Sequence, residues 1–191
     1  RGAPARRRLP AALSLLHLLP VAALAFVLWP LPAGLLDRDE IRSVRITDRS
    51  GGLLRELRSR ADGRGVALPP GPIPPQVRDA FLAAEDRRFF LHPGVDPIAI
   101  ARAVVQNVRA GRIVSGASTI PQQLARQLVP RERTLVGKIG EALWALRLAA
   151  QIPREVLLRA YLDRVPLGNA TFGVEAAAQL YFGRPAARLS T

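Results

Sequence analysis

Between Leu9 and Leu36 the chain carries no formal charge, and Arg1, Arg6, Arg7 and Arg8 stand directly ahead of that run. Crossing a bilayer as a helix takes roughly 20 apolar residues, so the run predicts one transmembrane helix over 9–36 behind a basic tail over 1–8. Pro20 and Pro30 interrupt it, but membrane helices tolerate proline, and Trp29 suits the lipid–water interface. A cleaved signal peptide is the competing reading. The uncleaved anchor is preferred because the run is longer than a signal core and Leu35-Leu36-Asp37 is not a small-x-small cleavage site. The arginine cluster then keeps the tail in the cytoplasm and places everything after Asp37 on the far side of the membrane.

With 191 residues in all, the chain has room for such an anchor plus one modest domain. Residues 37–75 read as an extended arm. Ile41, Val44 and Ile46 alternate with polar residues, Asp48-Arg49-Ser50-Gly51-Gly52 makes a turn, and Leu53-Leu54 opens a second strand. Leu68-Pro69-Pro70-Gly71-Pro72-Ile73-Pro74-Pro75 is barred from helix interior. From residue 76 to 191 the pattern turns helical. Asp96-Pro97 is a helix start, with Ile98, Ala101, Val104, Val105 and Val108 as its expected core face. Leu135, Ile139, Ala142, Leu143, Leu146 and Ala149 trace a second stripe that ends before Pro153, and Val156, Leu157, Ala160 and Tyr161 begin the next. The fold class expected is therefore mainly α, preceded by a transmembrane helix and a short β/extended arm.

The formal charge is +13, and Lys138 is the one lysine among the basic residues. After the anchor the arginines are scattered among Asp and Glu, without a basic run or an aromatic stacking motif, so nucleic-acid binding is set aside. Attraction to anionic headgroups or to a pyrophosphate accounts for the charge more economically. There is no cysteine, hence no disulfide framework and no thiolate ligand or nucleophile.

Chemistry concentrates in Ala84-Glu85-Asp86-Arg87-Arg88-Phe89-Phe90-Leu91-His92-Pro93-Gly94. A carboxylate held against apolar surface loses hydration and becomes a better proton acceptor, which suits a catalytic base. Taken alone, the acidic and basic pairs fit an ordinary solvated helix end as well. Two further blocks follow in order: Gly116-Ala117-Ser118-Thr119-Ile120-Pro121-Gln122-Gln123 with Arg126, and Lys138-Ile139-Gly140-Glu141. Together they resemble the peptidoglycan glycosyltransferase domain of bifunctional penicillin-binding proteins, whose signatures look like E-D-x-x-F-x-x-H-x-G, G-x-S-T-x-x-Q-Q and R-K-x-x-E. The blocks at 154–168 and 173–183 extend the resemblance from about Val44 to the last residue, with wording most like the 1C class. The chain then reads as an N-terminal piece of a longer protein whose glycosyltransferase domain is cut at its C-terminal end.

The resemblance implies a lysozyme-like arrangement with an amphipathic region dipping into a bacterial inner membrane, and a domain on its extracytoplasmic side. It implies a reaction joining membrane-bound lipid II to a growing glycan strand. Glu85 matches the base that takes the proton of the acceptor 4-hydroxyl, Asp86 the supporting carboxylate, and Glu141 the acidic residue near the donor pyrophosphate. Phe89, His92, Ser118, Thr119, Gln122, Gln123, Arg126 and Lys138 match substrate-binding positions. His92 is read as a loop-ordering residue ahead of a direct substrate contact, and Ser118 equally as a helix N-cap ahead of Pro121. Gly137 stands where the family carries arginine, leaving Arg133 or Arg147 to supply that contact, and Arg159 stands where many members carry glutamate. The resemblance leaves room for a divalent cation, Mg²⁺ or Mn²⁺, with Glu141 as ligand; no spacing of His or carboxylates makes a self-contained metal site. Expected partners are lipid II, the glycan strand, the membrane, a downstream transpeptidase domain and other cell-wall synthesis proteins. Two alternatives stay open, a muralytic enzyme with Glu85 as acid and a non-catalytic lipid-II-binding scaffold.

Overall fold

The computed structural model describes residues 11–60, 62–132 and 134–190, without the side chains of 11–17. Helix α1 (Ala11–Leu28) leads into the antiparallel hairpin of β1 (Val44–Thr47) and β2 (Leu53–Leu57). The two-residue β3 (Arg64–Gly65) precedes α2 (Pro75–Glu85), α3 (Pro97–Ala110), α4 (Ile120–Leu128), α5 (Leu135–Gln151) and α6 (Arg154–Leu162). The short β4 (Thr171–Phe172) pairs in parallel with β3, and α7 (Val174–Phe182) and a 3₁₀ turn (Ala186–Arg188) follow. The mainly helical class and the strand–turn–strand arm are as expected, and β3–β4 pairing stitches the arm to the helical body.

The core forms where α4 packs on α5 and α6. Phe89, Ile120, Leu124, Leu148, Leu157, Leu158 and Leu162 are fully buried there, each stabilising the fold by about 1.5–3 kcal/mol through apolar burial. Helix α3 starts as its sequence predicts, with Asp96 accepting from the Ile98 and Ala99 amides at 2.9 and 3.1 Å. Its apolar stripe is not core, however. Ala99 and Ala103 face the body, while Val104 and Val108 are 55% and 74% exposed. Small alanines let the helix approach closely, and the branched residues point outward.

The apolar N-terminal run also differs from expectation. Residues 9 and 10 of the predicted span lie outside the described residues, and α1 stops at Leu28. Among the described residues no helix is long and apolar enough to cross a membrane. Pro30 disfavours helical backbone at Trp29, and Leu31, Leu35 and Leu36 pack against the helical core instead. Arg147 and Gln151 of α5 close the end of α1: Arg147 Nε donates to the Trp29 carbonyl at 3.0 Å, and Gln151 Nε2 to those of Val27 and Trp29 at 2.8 and 2.9 Å. These are carbonyls that a helix end leaves without intrahelical partners. Phe26 stacks edge-on against Trp144, and the Arg147 guanidinium covers both rings at 4.7 Å.

Candidate active site

Helix α2 ends at Glu85, and the following turn separates two adjacent carboxylates by environment. Asp86 points inward and is buried. Its oxygens accept from the Ile120 amide and from His92 Nε2, all at 3.0 Å. His92 Nδ1 accepts from the Gly94 amide at 3.1 Å, so the ring proton sits on Nε2 and faces Asp86. Gly94 lies so close to Ala145 of α5, at φ 123°, that a Cβ has no room. Arg154 donates to the His92 carbonyl and lies over Phe89 at 5.6 Å. Burial lowers the Arg154 pKa against the opposing pull of the Asp86 charge.

Glu85 points the other way. It is exposed, so the desolvating contact with Phe81-Leu82 and the aromatic pair expected from sequence is not made. It lines the rim of a cleft of about 470 Å³ shared with Arg87, Arg88, Arg102 and Ser118. One oxygen accepts from Gln123 Nε2 at 2.8 Å.

The second block builds the cleft's opposite wall. The N-cap of α4 is Thr119, not Ser118, with Gln122 completing a capping box. Thr119 also donates to the Gly94 carbonyl at 2.6 Å, tying α4 to the His92 loop. Thr119, Gln122, Phe89 and His92 are all buried, and Thr119 also lines the cleft. Ser118, relieved of capping, accepts from Lys138 Nζ at 2.9 Å.

Lys138 and Glu141, three apart on α5, share a face as their spacing predicts, and α4 adds Arg126. Glu141 is buried, takes Arg126 Nε at 2.8 Å on one oxygen, and takes Arg126 Nη2 at 3.2 Å and Lys138 on the other. Burial opposes its charge, but the hydrogen bonds and charges of the two cations outweigh burial and hold the carboxyl below its ordinary value. The Glu141 hydrogen bond in turn raises Arg126. Lys138 keeps one N–H and Arg126 three that these contacts do not use, on side chains 45% and 55% exposed. The cluster is an anion grip with its counter-charge beneath. Both Glu141 oxygens are already engaged, and among the described residues no three His, Asp or Glu converge; this donor set does not suit a divalent cation.

Gly137 has no room for a side chain because the Glu132 carbonyl lies against it. Of the two replacements expected for the missing arginine, Arg133 lies outside the described residues and Arg147 is committed to the end of α1. Arg131 instead lies against Gly140, where an added Cβ would come within 3.0 Å of it. Arg159 is not at the site: it donates to the carbonyls of Leu68, Pro69 and Gly71 and clamps the proline arm. One site neighbour was missed in the sequence. Tyr161, read as a core position of α6, donates its hydroxyl to Gln123 Oε1 at 3.2 Å.

A family model described as Transglycosylase matches residues 51–191. Penicillin-binding protein 1A of Aquifex aeolicus is 51% identical over 119 residues, 62% of this chain and 16% of that protein. Penicillin-binding protein 1C of Escherichia coli is 37% identical over 166 residues, 85% of this chain and 21% of that protein. Penicillin-binding protein 4 of Bacillus subtilis is 37% identical over 152 residues, 79% of this chain and 24% of that protein. Identity favours the 1A relative and coverage the 1C relative. The chain spans a quarter or less of the length of each of these three relatives.

Proposed function

Because the chain belongs to the transglycosylase family, we propose that it is a peptidoglycan glycosyltransferase that polymerises lipid II into glycan strands during cell-wall synthesis. The observation that carries this reading is an exposed carboxylate on the cleft rim together with a cation cluster joined to the cleft wall through Ser118. Hydrolysis of a glycan needs the first alone; transfer from a lipid pyrophosphate uses both.

The acceptor 4-hydroxyl oxygen attacks the donor's anomeric carbon from the face opposite the leaving group, inverting it. The bond from that carbon to the pyrophosphate oxygen breaks, and its electron pair leaves with the pyrophosphate. The acceptor proton passes to Glu85. Lys138 and Arg126, held apart and aimed by Glu141, meet the developing charge on the leaving group. Ser118, on the cleft wall, joins that wall to the cations through Lys138. Asp86 works indirectly, fixing the turn after Glu85 to His92 and to the start of α4.

The membrane enters the same reading through exposed apolar side chains. Val104, Val108, Ile113, Leu135 and Val136 are 55–87% exposed, on α3, the segment after it and the start of α5, which suits a substrate whose tail stays in lipid. The domain then works at the extracytoplasmic face of the inner membrane. The greater length of the penicillin-binding relatives fits the further part of this proposal, a longer protein with a transpeptidase domain that acts with other cell-wall synthesis proteins.

The test is polymerisation of lipid II in detergent by the intact protein and by Glu85→Gln. Polymer from the parent, a loss of at least about a hundredfold in the variant, and lipid II binding retained by both support the reading. Cleavage of preformed glycan by the parent would replace it with the muralytic one, and binding without polymer would replace it with a scaffold.

A further inference from the structure

Tyr161 is almost wholly buried, 1% exposed, and packs edge-on against Phe81 at 6.1 Å. A buried phenol usually ends on a hydrogen-bond partner, and here the partner is Gln123 of α4, whose other end reaches Glu85. Three helices thus converge on one short chain, from the Tyr161 O–H to Gln123 Oε1 and from Gln123 Nε2 to Glu85 Oε2. The amide has one satisfactory orientation. Flipped, it sets its carbonyl oxygen against a carboxylate oxygen, two acceptors facing each other.

We propose that Tyr161 is a positioning residue for the base: through Gln123 it holds one Glu85 oxygen in place and leaves the other, Oε1, to take the acceptor's proton. This rests on Glu85 as the base. Burial, with a smaller contribution from the Glu85 charge, pushes the phenol above its ordinary range, so it stays protonated and remains a donor at every pH where the enzyme works. Among the described residues no hydrogen bond is made to Glu85 Oε1. The other charged groups facing the cleft are Asp86, Arg87 and Arg88 from the turn after α2, and Asp96 and Arg102 from α3 and its cap. Removing the tyrosine hydroxyl touches none of them.

The test compares Tyr161→Phe, Gln123→Ala, the double variant and Glu85→Gln in steady-state lipid II polymerisation, kcat and KM measured separately, with far-UV circular dichroism as the fold check. In Y161F the ring and its packing survive. Loss of one hydrogen bond is expected to lower kcat about three- to tenfold, with KM for lipid II little changed. The loss falls on kcat because the substrate grip is untouched while the base loses its fixed orientation. Q123A lowers kcat in the same way, and adding Y161F to Q123A changes nothing further. Multiplying effects in the double variant, a loss that falls on KM, or a lower melting temperature in Y161F with unchanged kcat, would overturn the relay while leaving the base assignment intact. Polymer from E85Q overturns both. Should Y161F lose its helical signal, the fall in kcat at unchanged KM in Q123A alone decides.

Discussion

Arg126 and Lys138 both reach Glu141, and without it they would face each other as like charges. The carboxyl is depressed below its ordinary value, so it favours the folded state above about 4.5, and that contribution is lost as pH falls below it. Glu141→Gln is therefore expected to flatten the decline of melting temperature below pH 4.5. It costs about 1 kcal/mol near neutrality, modest because both cations are half in solvent. Thermal melts between about pH 3 and 7 check both parts. At this scale the sequence was informative wherever chemistry is local. The i,i+3 spacing joined Lys138 to Glu141, and the motif set Asp86 and His92 in one block without showing the hydrogen bond between them. Tyr161 was invisible because its partner lies 38 residues away, and nothing in the pattern of α6 separates a phenol with a polar errand from any buried aromatic.

Among the elements, α3 depends most on a single side chain. Asp96 caps it and pairs with Arg88 at 3.1 Å while 2% exposed. Burial works against its charge, but the Ala99 amide and Arg88 prevail and hold the carboxyl below its usual value. Asp96→Ala is expected to cost about 1–2 kcal/mol, read from denaturant unfolding, with Asp96→Asn recovering part of it. Proline, glycine and capping residues marked element ends well in the sequence. What covers an apolar stripe was not legible. Ile98, Val104, Val105 and Val108 share a face by periodicity alone, but whether that face meets protein or solvent depends on neighbours folded from distant sequence. The far end of the long apolar run was illegible for a related reason, since Leu31, Leu35 and Leu36 found cover against the domain itself.

For the molecule as a whole, the formal charge of +13 and the uncovered apolar side chains of α3 and the start of α5 are the features that, in the proposed reading, draw the domain to an anionic bilayer. Val104→Ser with Val108→Ser is expected to weaken binding to anionic vesicles about tenfold, measured by co-sedimentation, and raised salt should weaken parent and variant alike. The N-terminal helix meets the body in a different manner. Its final carbonyls are gripped by Arg147 and Gln151, which ride on the same helix that opens with Lys138 and Glu141. From Lys138 to Arg147 is about 14 Å along one continuous rod. A pull or tilt on α1 thus travels down a stiff strut to the Lys138–Glu141–Arg126 cluster, where a floppy tether would dissipate it.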